Sequence, residues 1–276
     1  MTKVKLRTVV LTRPTHRNQR LAQGLQQAGV PSINAPALRV VSLAQEIAAA
    51  HRPEHHDLVV FVSRAAANFY LQPLYDDPGF NWPEHVKIGT VGVSTKSAAQ
   101  KLLLSREQAS TVQWRHPPAL QPHHDSEHLW MVLQPELEQL KKILIVRGLS
   151  GREWLKERFQ QAGAQVNVLA VYDRQPDIWD STQAEALTQA LEAEHPGVVF
   201  LVSSSESAQA IFDNLHRLDL LELCRKAIFV VIHERIEKRV QSLYASAGFK
   251  DKAIIMRCVP THRSMLSALI AAAQDA

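Results

Sequence analysis

Hydroxyl, glycine and guanidinium residues follow six apolar segments of strand length. The residues of this set are Arg13, Ser63, Arg64, Gly92, Ser94, Thr95, Arg147, Gly148, Arg152, Ser203, Ser204, Ser205 and Arg235. Ligands of open α/β sheets bind beyond the carboxyl ends of the strands, where helix N-termini also present free N–H groups. Arginine binds carboxylates through paired N–H donors. The pattern therefore predicts a site for a ligand with several carboxylates.

Each serine or threonine of this set also has a purely structural alternative, because these residues commonly cap helix N-termini. The turn Gly92–Thr95 is not a phosphate loop, since it lacks the glycines and the lysine of that motif. The interpretation as an anion site depends on several such turns sharing one edge.

Tyr172 is the single residue with the clearest chemical potential. It lies in a predicted connecting strand beside Asp173 and Arg174, where a tyrosine facing a cleft could donate a proton. The alternative is an amphipathic interface tyrosine whose hydroxyl contacts water.

Histidines are the other candidates, and they form two groups in the sequence. These are His51, His55 and His56, and His116, His123, His124 and His128. Neither group has the spacing of a zinc motif or a helical pair with a carboxylate, so we predict no metal site. The sequence also contains no nucleophile elbow.

An internal repeat organises the elements that must position these residues. Val9–Val30 recurs at Ile143–Val166, and each copy reads as a buried strand, an arginine, and a helix ending in Gln-Gln-Ala-Gly. Gly29 and Gly163 fit the left-handed position that follows a helix.

Two further strand–helix units repeat at a common offset, because Ser63 precedes Ser204, and Gly92 precedes His233, by 141 positions. Three strand–helix units followed by three more predict two similar α/β lobes with parallel sheets and a cleft between them. Repetition alone indicates a division near residue 140.

Two segments do not fit the repeat and resemble connections between domains. They are Leu38–Leu43 and Val168–Asp173, which alternate like exposed strands. Asp125 and Ser126 predict the start of a helix that reaches about Leu140.

The composition is that of a globular protein, with 46% hydrophobic residues, 21% charged residues and a net charge of +4 over 276 residues. The mild positive charge favours an anionic partner without indicating nucleic acid. We find no signal peptide and no apolar stretch of about 18 residues. We therefore expect a cytoplasmic protein, with Cys224 and Cys258 as reduced thiols.

The ordered set VVLTRP, DLVVFVSRAAANF, TVGVSTKSA, DSEHLWMVL, ILIVRGLSGREWL, AVYDRQP and VVFLVSSSESA resembles the uroporphyrinogen-III synthase family over nearly the whole chain. The strongest segments are ILIVRGLSGREWL and AVYDRQP. The resemblance implies two three-layer, flavodoxin-like α/β/α lobes joined by a two-stranded linker. One lobe would comprise residues 1–36 and 176–276 and the other 42–167, with residues 37–41 and 168–175 as linker strands.

The resemblance also implies a cyclising hydro-lyase of tetrapyrrole and heme biosynthesis that uses no cofactor. Its substrate would be hydroxymethylbilane, a linear tetrapyrrole with eight carboxylates, which loses water and closes through a spiro intermediate with the terminal ring inverted. The family tyrosine corresponds to Tyr172, which would assist departure of the hydroxyl. Family hydroxyls correspond to Ser63, Thr95 and Ser204, and Arg13, Arg147, Gly148 and Arg152 would contact carboxylates or shape turns.

One turn departs from the family, which often has a Gly-Pro-Thr-Thr-like sequence where this chain has His233–Ile236. A hydroxyl donor is lost there and Arg235 is gained. Two alternatives to the synthase follow: a non-catalytic two-lobed protein that binds an anionic small molecule, and a paralogue that keeps the fold without the activity. For any of them we expect a monomer that binds neither nucleic acid nor membranes.

Overall fold

The computed structural model describes residues 6–43, 46–104, 112–118, 126–193 and 197–274. These residues form two compact units. Unit 1 contains the described residues up to Arg39 and from Gln175 onward, and unit 2 runs from Val40 to Arg174.

Unit 1 is built on a parallel sheet of five strands in the order β11-β10-β9-β1-β2. Its strands are β1 (Thr8–Leu11), β2 (Ser32–Asn34), β9 (Val198–Val202), β10 (Ile228–Val231) and β11 (Ile254–Arg257). Its helices are α1 (Thr15–Gln27), α6 (Ser181–Glu192), α7 (Ser205–Arg217), α8 (Glu234–Ser246) and α9 (His262–Gln274).

Unit 2 contains a sheet of six strands in the order β3-β8-β7-β4-β5-β6. Its strands are β3 (Leu38–Ser42), β4 (Leu58–Phe61), β5 (Lys87–Thr90), β6 (Trp114–Arg115), β7 (Lys142–Gly148) and β8 (Gln165–Pro176). Its helices are α2 (Arg64–Asp76), α3 (Val93–Leu104), α4 (Ser126–Leu133) and α5 (Trp154–Gln161). The pairs from β8 to β6 are parallel.

Each sheet is covered on both faces, because successive strand residues point to opposite sides. In unit 1, Phe200 and Phe229 pack on one face with helices α7 and α8, whereas Val199 and Val230 pack on the other with α1 and α9. The same alternation separates the two cores of unit 2. The prediction of three-layer α/β units with parallel sheets is therefore confirmed.

The repeated halves of the sequence exchange their first strand–helix–strand segments. The segment β1–α1–β2 joins the sheet formed by β9, β10 and β11, and the segment β7–α5–β8 joins the sheet formed by β4, β5 and β6. Both sheets thus have the same spatial layout. A division near residue 140, as repetition alone indicates, would separate strands that are hydrogen-bonded neighbours.

Strands β3 and β8 carry the chain from one unit to the other. The amide of Leu43 donates to Val171 O at 3.0 Å, and the amide of Asp177 donates to Ala37 O at 2.9 Å, so these two strands run antiparallel. Strand β8 begins at Gln165 and pairs with β7 as far as Tyr172. It is therefore a full member of a sheet as well as a connection, because its apolar residues have a buried partner strand.

Two local predictions are resolved by backbone geometry. Gly29 and Gly163 have φ values of +71° and +86°, which confirms their predicted left-handed conformation after helices α1 and α5. The helix that begins at Ser126 ends at Leu133 and continues as a 3-10 helix over Gln134–Gln139, instead of reaching Leu140 as an α-helix. Pro135 explains the change, since proline cannot donate the helical backbone hydrogen bond. Asp125 lies outside the described residues.

Across these described ranges, every helix is too short or too polar to cross a membrane.

Candidate active site

The carboxyl edge of unit 2 is the side of the sheet at which its parallel strands end. Ser63 lies on this side, after strand β4. It occupies the N-cap of helix α2, with extended backbone angles, and its Oγ accepts a 3.0 Å hydrogen bond from the amide of Ala66. The structural alternative foreseen for such serines is therefore present at Ser63. Arg64, the first residue of the helix, is half-buried beside it.

The hydroxyl of Ser63 also contacts the hydroxyl of Tyr172. Ser63 Oγ donates to Tyr172 Oη at 3.1 Å. Tyr172 is only 4% exposed, and its ring lies 6.3 Å from the ring of Phe69 and 6.0 Å from the guanidinium of Arg174. The tyrosine is thus fixed in orientation by packing on its ring and by a hydrogen bond at its tip.

Gly148 makes room for this tyrosine. The pairing of β7 with β8 shifts by one residue between Arg147 and Gly148, so that Gly148 stands opposite Tyr172. A Cβ atom on Gly148 would lie 2.8 Å from two carbons of the Tyr172 ring. Immediately afterwards, the amide of Leu149 donates to Tyr172 O at 2.8 Å, and the Leu149 side chain is 59% exposed.

Arg147 and Arg152 shape the turn that follows Gly148. The Arg147 guanidinium forms an ion pair with Glu153 at 2.5 Å and donates to Arg152 O at 3.2 Å. The hydrogen bond from Arg147, supported by Lys156, holds the pKa of Glu153 below its usual range. Arg152 pairs with Glu127. A ligand carboxylate that binds these arginines must therefore compete with protein carboxylates.

The turn after strand β5 is compact. Gly92 O accepts hydrogen bonds from the amides of Thr95 and Lys96, both at 3.1 Å. Thr95 is 3% exposed, which places its hydroxyl inside the turn, whereas Ser94 is exposed at the surface. Gly92 is buried. Ser94 is thus the exposed hydroxyl of this turn.

The equivalent edge of unit 1 begins with the turn after β1. The side-chain amide Nδ2 of Asn18 donates to Leu11 O at 2.9 Å and to Arg13 O at 2.6 Å, and these bonds fix the path of that turn. Thr12 donates to Leu201 O and ties β1 to the end of β9. The guanidinium of Arg13 lies 3.6 Å from the sulfur of Met265.

The serine run Ser203–Ser205 lies next to this turn, because β9 neighbours β1. Ser204 caps helix α7, with its Oγ accepting from the amide of Ser207 at 3.0 Å, and the Ser207 hydroxyl accepts from the amide of Ser204 in return. Ser203 and Ser205 are half-buried. Ser204 therefore corresponds to Ser63 in fold position, as the offset of 141 residues predicts.

The turn that departs from the family keeps a helix cap. His233 is the N-cap of helix α8, and its Nδ1 accepts a 3.0 Å hydrogen bond from the amide of Arg235. The imidazole thus does the capping that a hydroxyl would otherwise do. The Arg235 side chain is exposed.

A groove of about 950 Å³ lies at the carboxyl ends of β10 and β11 in unit 1. His233, Arg257, Arg263 and Ser264 are among the residues that line it. Neither arginine belongs to the predicted set, because Arg257 ends a strand outside the repeated units and Arg263 lies inside helix α9. The groove combines two cations with the N-terminus of helix α9.

His56 has a structural role, because its ring contacts the backbone. His56 is 3% exposed, with Nδ1 3.0 Å from Arg52 O, and burial lowers its pKa. In the described segments, no three His, Cys, Asp or Glu residues are grouped as a metal ion would require. His123 and His124 lie outside the described residues. Cys224 and Cys258 are free thiols.

The fold and the polar residues at the strand ends together define a class of protein. Such a protein has two parallel α/β units, each with hydroxyls, amides and arginines at the carboxyl ends of its strands. A family model described as uroporphyrinogen-III synthase HemD matches residues 19–250. The chain therefore belongs to the uroporphyrinogen-III synthase family.

Individual relatives agree with this assignment. The uroporphyrinogen-III synthase of Salmonella typhimurium is 27% identical over 257 residues, which are 88% of this chain and 93% of that protein. The crystal structure of uroporphyrinogen-III synthetase from Helicobacter pylori 26695 matches with a TM-score of 0.57 at 13% identity, over 96% of this chain and 99% of that chain. At that identity the structural similarity concerns the fold.

The family prediction made from the ordered motifs is confirmed, and so is the prediction of a cyclising lyase. The non-catalytic binding protein is not favoured.

Proposed function

We propose that this chain converts hydroxymethylbilane into uroporphyrinogen III, with loss of water and inversion of the terminal pyrrole ring. The observation that carries the proposal is the hydroxyl pair at the edge of unit 2, where Ser63 Oγ donates to Tyr172 Oη at 3.1 Å. This bond fixes the position of the phenol oxygen beside the N-terminus of helix α2.

Tyr172 is the proposed proton donor to the departing hydroxyl group. Protonation of that group lets it leave as water, while electrons from the adjacent pyrrole form the azafulvene. The terminal ring then attacks to give the spiro intermediate, which reopens and closes with that ring inverted. A pyrrole carbon loses a proton at closure, and this proton can restore the tyrosine, so the overall change is the loss of one water.

Substrate carboxylates are the proposed ligands of the donors at each edge. In unit 2 the proposed donors are Ser63, Arg64, Gly92, Ser94, Thr95, Arg147, Gly148 and Arg152, and in unit 1 they are Arg13, Ser203, Ser204, Ser205 and Arg235. Helix N-termini at these turns add N–H groups and a partial positive charge. Exposed Leu149 beside Tyr172 offers an apolar contact for a pyrrole ring. Much of the catalysis then consists of positioning a flexible chain.

The proposed enzyme acts as a cytoplasmic monomer without a metal or an organic cofactor, and its partner is the small-molecule substrate alone. The mild net charge of +4 suits a polycarboxylate and gives no basis for nucleic-acid binding.

The test supplies purified protein with hydroxymethylbilane and separates the product isomers after oxidation. Spontaneous closure gives the type I isomer, so the proposal predicts that type III increases with enzyme concentration. Type I alone at high enzyme concentration would contradict it and would favour a paralogue that has kept only the fold.

A further inference from the structure

Lys96 occupies an electrostatically unfavourable position. It lies in the first turn of helix α3, which contains no acidic residue. The N-terminus of a helix carries a partial positive charge, so a lysine there is repelled and an acidic residue is favoured. A half-buried lysine at such a place indicates that an anion outside the helix offsets its charge.

The ammonium group is held by an imidazole and an indole. Lys96 Nζ lies 2.8 Å from His116 Nε2, and His116 Nδ1 lies 2.9 Å from Pro117 O. Pro117 O can only accept, so Nδ1 carries the imidazole proton and Nε2 accepts from the ammonium. Lys96 Nζ also lies 5.7 Å from the centre of the Trp114 ring. Neither His116 nor Trp114 carries a negative charge, so neither offsets the positive charge.

The local polar groups still need an acceptor. Throughout the described residues, Lys96 has no carboxylate within ion-pair distance. The adjacent indole Nε1 of Trp114 is buried and has no hydrogen-bond partner there. Buried donors are normally paired, and each exception calls for an explanation.

The duplicated unit shows the usual arrangement at the same position. The offset of 141 residues pairs Lys96 with Glu237 and His116 with Arg257. Glu237 is one of two acidic residues in the first turn of helix α8, and it lies 3.9 Å from Arg257. Unit 1 thus has a carboxylate beside a guanidinium where unit 2 has an ammonium beside an imidazole.

We propose that Lys96, His116 and Trp114 form a subsite for one carboxylate arm of the substrate. This subsite rests on the proposed function, which supplies a ligand with several carboxylates. His116 orients Lys96, and two of the three N–H donors of the Lys96 ammonium remain for the ligand. Strand β6, which His116 follows, lies two strand spacings, about 10 Å, from strand β4, which precedes Ser63. A substrate that contacts Tyr172 can therefore also reach Lys96.

The test compares Lys96→Gln, Lys96→Arg and the matched control Lys101→Gln, a change of an exposed lysine near the other end of helix α3. We expect Lys96→Gln to raise KM for hydroxymethylbilane about tenfold with little change in kcat, because one charge-assisted bond is lost. Lys96→Arg should recover most of the affinity, and Lys101→Gln should match the wild type.

Thermal unfolding separates binding from a structural role. Removal of a repelled charge should leave Tm unchanged or raise it, whereas a structural lysine would lower Tm on replacement. A wild-type KM for Lys96→Gln, or an equal rise for Lys101→Gln, would overturn the subsite.

Equilibrium titration with uroporphyrin I, an octacarboxylate that is not a substrate, provides a readout besides activity. Weaker binding by Lys96→Gln than by the wild type would support the subsite even if the wild type formed only type I product. In that outcome the proposed function would fail and the anion subsite would stand. Equal binding by both proteins would overturn the subsite whatever the isomer assay shows.

Discussion

Ser63 and Tyr172 are 109 positions apart in the chain, yet their hydroxyl oxygens lie 3.1 Å apart, with Ser63 as the donor. Ser63 Oγ in turn accepts from the amide of Ala66 at the N-terminus of helix α2. The chain of bonds therefore runs from the helix end, through Ser63, to the phenol. Successive bonds of this kind polarise one another and hold the phenol in one position.

Ser63→Ala tests this chain of bonds. Loss of the helix cap should lower the free energy of unfolding by about 1 kcal/mol, and loss of the donor should reduce kcat more than it changes KM. Ser63→Thr, which keeps both bonds, should restore kcat. Asp180→Ala removes the cap of helix α6 and should cost similar stability without a change in kcat. Equal kcat values for Ser63→Ala and Asp180→Ala would remove Ser63 from the mechanism.

Gly148→Ala tests the space reserved for the tyrosine ring. The new Cβ would lie 2.8 Å from the ring, so Tyr172 must move or the strand must shift, at a cost of about 1–3 kcal/mol. We expect a lower kcat and a lower Tm. The control Gly151→Ala places its Cβ no closer than 3.9 Å to a neighbour and should change neither quantity strongly. Wild-type kcat for Gly148→Ala would show that the ring position is unimportant.

The pH dependence of stability should report His56. Burial lowers the pKa of His56 from 6.5 in the native state, so below pH 6.5 the unfolded chain binds a proton that the native protein does not. The contribution of His56 to stability is therefore complete above pH 6.5 and falls with decreasing pH, by at most about 1.4 kcal/mol per pH unit. Denaturant unfolding from pH 8 to 5 measures this. His56→Gln should be less stable at pH 8 and show a smaller slope; an unchanged slope would contradict the assignment.

Glu136 is a carboxylate, and its ionised form should stabilise the native protein. It forms ion pairs with Arg115 and with Lys87, the latter at 2.9 Å, and is 15% exposed. The hydrogen bond from Arg115 lowers its pKa, so its contribution is present at neutral pH and is lost as the pH falls through the native pKa. Glu136→Gln should cost about 1–3 kcal/mol at pH 7, measured by denaturant unfolding, and nearly nothing once the wild-type carboxylate is protonated.

The sequence was sufficient for most of the strands and helices, because buried strands and capping residues have strong local patterns. It did not reveal the exchange of β1–α1–β2 and β7–α5–β8 between the repeated halves. Both halves have equivalent patterns, and only long-range strand pairing distinguishes the two arrangements. The resemblance to a family supplied that information.

The contacts between the site residues could not be predicted from the sequence. The shift between Arg147 and Gly148 sets Tyr172 opposite a glycine, and a shift of one residue has no sequence signal of its own. Arg147 and Arg152 were predicted as carboxylate ligands or turn residues, and both pair with glutamates. Lys96 lies inside a helix and not directly after a strand, so the pattern of residues at the strand ends does not include it. The sequence around His116 indicates only that this residue lacks the spacing of a metal motif.

The most direct measurement compares wild type and Tyr172→Phe by rapid quenching, with consumption of hydroxymethylbilane and isomer composition followed together. We expect kcat to fall about 100-fold, as for loss of a general acid, while KM changes little and the residual enzymatic product is still type III. Wild-type consumption by Tyr172→Phe would contradict the role of the tyrosine. A rise in KM at constant kcat would show that it binds substrate without helping water to leave.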